Sequence, residues 1–161
     1  MLGLVLLYVG IVLISNGMAG LYGIDPKSKS IMNFFTAGVS IVANIITIII
    51  GDYYSAATGL LFGFTYLYIA LNGVFDLDQR LYGWYSLFVA INTIPAAYRS
   101  FTTNDFWMGV IWLSWGVLWL TGFIECTLHK SLGKFPPALS AVEGVLTAWV
   151  PGLMMLFGWW I

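Results

Sequence analysis

Phe106-Trp107-Met108-Gly109-Val110-Ile111-Trp112-Leu113-Ser114-Trp115-Gly116-Val117-Leu118-Trp119-Leu120-Thr121-Gly122-Phe123-Ile124 runs for 19 residues without a charged side chain, between Asp105 and Glu125. About 20 apolar residues cross the hydrocarbon core of a bilayer as an α-helix, so the run reads as a transmembrane span. Outward from it, the charges of the 161-residue chain mark off Met1 to Ile24, Ser30 to Gly51, Tyr53 to Phe75, Leu81 to Tyr98 and Phe135 to Ile161, the last interrupted only by Glu143. These runs are 24, 22, 23, 18 and 27 residues long. The chain is 60% hydrophobic and 8% charged, with mean hydropathy +0.91, whereas soluble domains carry about 25% charged residues. The solvent is lipid, and the reading is an all-α membrane protein, one domain of six transmembrane helices over residues 1–161.

The joints between the runs are polar and short. Loops one, three and five hold Lys27, Lys29, Arg80, Lys130 and Lys134, while loops two and four hold only Arg99. By the positive-inside rule the odd loops face the cytoplasm, and six spans then leave both termini outside. The first run has no basic n-region and no polar cleavage segment, which argues against a removable signal peptide. Tyr53, Tyr54, Trp84, Trp107, Trp159 and Trp160 fall near the ends of spans, where aromatic side chains sit at the membrane interface.

A shift of 53 residues aligns the helices on one another. Gly10 falls on Gly63 and Gly116, Gly20 on Gly73, Asp25 on Asp78, Lys27 on Arg80, Phe35 on Phe88 and Ala37 on Ala90. Loop charges and glycines agree, and one offset serves odd and even helices alike. The pattern predicts three parallel two-helix hairpins, about 1–53, 54–106 and 107–161, around a pseudo-threefold axis along the membrane normal.

The same offset names the positions that would face that axis. Leu6, Val9 and Leu13 map to Gly59, Phe62 and Tyr66, then to Trp112, Trp115 and Trp119, and spacings of three and four put each trio on one helical face. Such a stripe suits either a packed bundle core or the lining of a pore. Trp115, tenth of the 19 residues in its run, is too deep for the interfacial belt, and three indoles on one face hinder the close packing that small residues usually give. Glu143 is the second anomaly, since a carboxylate inside an apolar span usually faces a cavity or a water path. Counted from Pro137 it lies about six residues, roughly 9 Å, into the last helix, level with Leu13, Tyr66 and Trp119. Its repeat equivalents are Ala37 and Ala90, so it would make one wall of the layer polar; satisfaction by a neighbouring hydroxyl is the other reading.

Several chemistries find no residues here. The four lysines all fall in loops, so none is placed for a Schiff base within the membrane. Cys126 and His129, both near the cytoplasmic end of the fifth helix, read as a small buried apolar residue and a loop cation rather than as ligands. There is no phosphate-binding glycine loop, no metal-ligand spacing, no nucleophile with a paired base and no basic stripe for nucleic acid. No cofactor and no enzyme activity are expected.

Five stretches carry a resemblance: Met1 to Gly10, Ala57 to Tyr68, Trp84 to Thr93, Trp112-Leu113-Ser114-Trp115-Gly116-Val117-Leu118-Trp119-Leu120-Thr121, and Glu143-Gly144-Val145-Leu146-Thr147-Ala148-Trp149. Over essentially its whole length the chain resembles the AmiS/UreI family of small bacterial urea and amide channels, most nearly the urea channels that serve cytoplasmic urease. The resemblance implies a homohexameric ring, a separate pore through each protomer, aromatic constrictions, passive conduction of urea and association with urease at the cytoplasmic face. It places the pore at Leu6, Val9, Leu13, Phe62, Tyr66, Trp112, Trp115, Leu118, Trp119 and Glu143, which adds Leu118 to the repeat-derived stripe. At Met108 the chain departs from relatives that carry another Trp there. Conduction of acetamide or formamide, and a non-conducting membrane scaffold whose aromatics only pack, are the alternative functions.

Gating is the larger departure. Acid-activated members carry periplasmic loops rich in His and carboxylates, groups that titrate between neutral and acid pH. Here loop two is Gly51 to Tyr54, loop four is about seven residues, and neither holds a His. Asp52, Asp105 and Glu143 are the candidate pH-sensing groups. An exposed Asp titrates near 3.9, so the expectation is a channel open at neutral pH, or one with a weak acid response at low pH.

Overall fold

The computed structural model describes residues 1–160; Ile161, the end of the expected third repeat, lies outside the described residues. Six helices cross the molecule: α1 (Leu2–Tyr22), α2 (Pro26–Ile49), α3 (Tyr53–Phe75), α4 (Arg80–Thr102), α5 (Phe106–Cys126) and α6 (Phe135–Leu156). Within α6, Gly144–Trp149 is a π-helical stretch. At 1.5 Å per residue the helices are about 32 to 36 Å long, enough to span a core of about 30 Å. Five are both long and apolar enough to cross a membrane. The exception is α4, which has the length but carries Arg80 and Arg99 near its ends and Pro95 inside. The helices run past the charge-free segments, so Lys27 and Lys29 lie in the first turns of α2 and Arg99 in the last turn of α4, not in loops.

Turn chemistry recurs along the chain at the spacing read from the sequence. Gly23, Asp76 and His129 all take left-handed backbone conformations, at φ 66°, 51° and 54°, as do Gly51 and Asn104 at 87° and 62°. Within each set successive positions lie 53 residues apart. Asp25 accepts a hydrogen bond from the Lys27 amide and Asp78 from the Arg80 amide, and the Ser131 hydroxyl takes the same place toward Gly133. Asp52 and Asp105 each accept the amide three residues on, those of Ser55 and Met108. These aspartates satisfy amides that the first turn of a helix leaves open.

The tightest helix pairs are α2 with α3, α4 with α5, and α6 with α1. Lipid tails give helices no hydrophobic reason to associate, so contact depends on small residues and interhelical hydrogen bonds. Gly10 sits against Trp149 of α6, Gly63 against Ser40 and Ile41 of α2, and Gly116 against Thr93 of α4. On α2 the buried face is polar, with Ser30, Asn33, Thr36, Ser40, Asn44 and Thr47, while Phe35, Val42, Ile45 and Ile49 point outward. The Thr36 hydroxyl donates to the Tyr8 carbonyl of α1 at 3.3 Å and the Ser40 hydroxyl to the Gly59 carbonyl of α3 at 3.3 Å. With the small residues spent on these contacts, the large side chains of α1, α3 and α5 meet in one central cluster.

A methyl group at Gly10 would lie 2.8 Å from both the backbone nitrogen and the Cα of Trp149. Gly10→Ala is therefore expected to destabilise the fold by about 1–3 kcal/mol through overpacking, read as a lower thermal midpoint in detergent. Gly38, where an added methyl group would meet no atom within 4 Å, supplies the control: Gly38→Ala leaves the midpoint unchanged or raised, since Ala favours a helix interior by about 1 kcal/mol over Gly.

Candidate pore

Two cavities enter the molecule from opposite ends. The one at the odd-loop end has a volume of about 630 Å³ and is walled by Leu13, Phe62, Tyr66, Trp115, Leu118 and Trp119, with Asn16, Thr65 and Asn72 among its polar residues. The one at the even-loop end holds about 530 Å³ between Leu6, Phe62, Met108 and Trp112, with Asn44, Asp52 and Arg99 toward its mouth. Phe62 lines both. The molecule is thus hollow from each end and closed in between by a collar at this ring.

The collar is aromatic because α3 and α5 turn the same face toward the centre. The Phe62 ring lies 4.8 Å from the Trp115 ring at 81°, 5.0 Å from Trp119 and 5.8 Å from Trp112, and Trp112 meets Trp115 at 5.1 Å and 86°. Edge-to-face pairs of this kind contribute about 0.5–1.5 kcal/mol each beyond burial. Two of the indoles are also tied at their N–H groups. Trp115 Nε1 donates to Thr147 Oγ1 at 2.8 Å and Trp119 Nε1 to Thr65 Oγ1 at 3.2 Å. These bonds leave the ring faces, rather than the polar edges, free to form walls.

The positions singled out in the sequence are brought together with two qualifications. Leu6, Val9, Leu13, Phe62, Tyr66, Trp112, Trp115 and Trp119 are all buried members of the central cluster, and Leu118 packs against it half-buried. Val9, wholly buried, lines neither cavity. Glu143 is 3% exposed and also lines neither; its Oε1 accepts the Ser114 hydroxyl at 2.6 Å, while Oε2 has no hydrogen-bond partner among the described residues. The carboxylate is held by α5 from behind the collar rather than projecting with Leu13, Tyr66 and Trp119 into the cavity. The π-helical stretch begins one residue later, and Thr147 within it donates to the Glu143 carbonyl at 2.6 Å while accepting Trp115. A widened turn at this point fits the frequent occurrence of π-bulges at functional sites.

Ser114, Thr65 and Thr147 are the residues that sequence reasoning missed. Each is a hydroxyl on a helix face next to the stripe, at Trp115 minus one, Phe62 plus three and Glu143 plus four; that last spacing of four, which stacks residues on a helix, was the available signal. Cys126, read as a buried apolar residue, is half-buried on the wall of the odd-loop cavity, with its Sγ 3.6 Å from Gln79 Oε1. His129 is an exposed turn residue. Among the described residues no three His, Cys, Asp or Glu side chains gather as metal ligands.

The loop carboxylates are engaged as caps. Hydrogen bonds from Ser55 hold the Asp52 carboxyl below its usual range, and the Arg80 side chain holds that of Asp78 down at about 2. Asp105 also accepts the Trp160 indole N–H at 3.2 Å. A depressed carboxylate contributes stability above its unfolded pKa that is lost as pH falls through the folded one. For Asp52 and Asp78 that window lies below the ordinary Asp value near 3.9, so mild acid leaves both ionised. At the even-loop mouth the Arg99 guanidinium stacks 3.8 Å over the Tyr54 ring.

Residues 1–159 match the family model for AmiS/UreI family transporters. The acid-activated urea channel of Helicobacter pylori is 50% identical over 196 aligned positions that cover 100% of both chains. A Mycolicibacterium smegmatis transporter protein named for amidate substrates is 42% identical over 165 positions, 98% of this chain and 78% of that one. The crystal structure of the urea channel from Helicobacter pylori superposes with a TM-score of 0.95 at 54% identity over 100% of each chain. Six membrane-crossing helices, a hollow interior and agreement along the full sequence lead to one assignment: this multi-pass membrane protein belongs to the AmiS/UreI family.

Proposed function

We propose that the chain is a passive urea channel of a bacterial inner membrane, with its odd loops in the cytoplasm, both termini outside, and the conducted urea feeding a cytoplasmic urease. The observation that carries this reading is the pair of cavities meeting at the Phe62 collar. Urea is neutral and flat. Its flat faces suit the aromatic walls of Phe62, Trp115 and Trp119, whose rings touch in the closed collar and must part for it to pass, and its N–H and carbonyl edges find an acceptor and a donor at the Tyr66 hydroxyl. A hydrated ion loses its shell at such a collar, at a cost of several kcal/mol per charge without a facing counter-charge, whereas urea loses only neutral hydrogen bonds. Excess Lys and Arg at the odd-loop end supports the orientation.

Three hairpin repeats about the pore axis are part of this proposal, supported by the 53-residue spacing of left-handed turns, caps and glycine contacts. So are a homohexameric ring and urease at the cytoplasmic face, which rest on the family resemblance. A short-chain amide channel is the second reading, favoured by the 42% identity to the Mycolicibacterium smegmatis relative. Flux of urea, acetamide and water through purified protein in liposomes separates the two: urea passing well ahead of acetamide is the expected result, and the reverse order supports the amide channel.

Two further outcomes follow from the collar and the loops. Trp119→Ala, which removes an indole held against Phe62 and Thr65, should leave assembly intact while lowering the urea-to-thiourea flux ratio on the order of tenfold, the equivalent of about 1.4 kcal/mol of lost discrimination. An intact mutant with unchanged ratios removes Trp119 from the pore. For pH, the single His lies at the odd-loop end and Asp52 stays ionised in mild acid. Urea uptake at external pH 7.5 and 5.0, with internal pH clamped, should therefore differ by less than about threefold, since only a group titrating in that interval changes charge across it. A channel closed at 7.5 and steeply open by 5.0 overturns this reading and points to Glu143 or a perturbed loop carboxylate as the sensor.

A further inference from the structure

Asn72 stands on α3 seven residues beyond Thr65 and so on the same face, about 10 Å further toward the odd-loop mouth. It lines the 630 Å³ cavity. It is 6% exposed, and its buried Oδ1 has no hydrogen-bond partner among the described residues. Buried polar side chains are nearly always paired, and one left open costs its full desolvation. The neighbouring carboxamide on the same wall shows how this interior meets that demand. Asn16 donates to Asn33 Oδ1 at 3.1 Å and accepts from Asn33 Nδ2 at 2.7 Å, a closed amide pair between α1 and α2. Asn72 is a carboxamide on the cavity wall whose matching amide is not supplied by the described residues.

We propose that Asn72 is an amide-binding station of the odd-loop cavity, at which a permeating urea forms with the Asn72 carboxamide the kind of paired hydrogen bonds that Asn16 and Asn33 form with each other. The assignment rests on the urea-channel reading. It gives urea leaving the collar a partner for both an N–H and its carbonyl before bulk water replaces them, and it selects for molecules that present donor and acceptor on one planar edge. Water, which fills polar cavities, lacks that edge.

Asn72→Leu tests the station without threatening the fold. The substitution keeps the side chain's branched shape, with methyl groups in place of the amide oxygen and nitrogen, and removes an unsatisfied polar group, so the thermal midpoint should be unchanged or raised; a lowered midpoint marks Asn72 as structural and overturns the proposal. In liposomes the half-saturating urea concentration is expected to rise about fivefold or more, the worth of a neutral hydrogen bond, with water flux unchanged. An unchanged half-saturation, or equal loss of urea and water flux, overturns it. Binding is read separately in detergent by asparagine-selective ¹⁵N labelling, with the Asn72 resonance identified by its absence in the variant. A saturable shift with urea below denaturing concentrations supports the station, and a linear drift counts against it. If the unmodified protein passes no urea, the channel reading fails by itself, and the Asn72 resonance still decides whether this site binds an amide.

Discussion

Close backbone approach at a few glycines is the constraint on which the rest of this structure depends. In lipid the backbone satisfies its own hydrogen bonds as helix, and helices then need a reason to touch. Gly10, Gly63 and Gly116 provide it by letting α6, α2 and α4 come against α1, α3 and α5. Each odd helix thereby has two unlike faces. One is small and closes on its even neighbour; the other, turned inward, is free to be large. The indoles of α5 can crowd the centre because the contacts that hold the bundle together are made elsewhere.

The polar groups follow the same division. Serine, threonine and asparagine on α2 bond to backbone carbonyls of α1 and α3 and to each other, so that helix is polar inside and apolar outside, the reverse of a soluble surface helix. Near the centre, Thr65 and Thr147 are committed to the Trp119 and Trp115 N–H groups. With two of its three indole N–H groups already occupied, the aromatic wall presents mostly flat, weakly polar surface to a solute. Against that background, the open oxygens of Glu143 and Asn72 are conspicuous.

Much of the fold was legible because charge is so scarce in this chain. The six spans, their polar joints and the inward stripe all follow from where charges and large rings fall, and the stripe at Leu6, Val9 and Leu13 recurs as a buried cluster with Phe62, Tyr66 and the three tryptophans. The ends of the helices were less legible: Lys29 and Arg99 belong to α2 and α4, since helices longer than the hydrocarbon core carry charge on turns that emerge from it. Glu143 shows a different limit. Counting residues fixes its depth, but depth says nothing about rotation, and a π-helical stretch beside it shifts the facing of everything that follows. Its bond to Ser114 joins residues 29 apart in sequence, and the threonines that hold the indoles lie 32 and 54 residues from them. Pairings of that range leave no local pattern. Phe62 was readable as a member of the stripe, while its place on both cavities depends on how three helices converge.

The modest hydropathy of α4 has a bearing on how the protein reaches the membrane at all. A span with an arginine near each end, an internal proline and several hydroxyl groups partitions into lipid less favourably than its neighbours. In the finished fold α4 and α5 form one of the three tightest helix pairs. The strongly apolar α5 follows α4 after only three residues, Thr103 to Asp105. Biogenesis is thus coupled across that short turn: α4 gains its place in the bilayer as half of a hairpin, with α5 as the half that drives entry, and a lesion in α5 would surface first as a topology defect two helices wide.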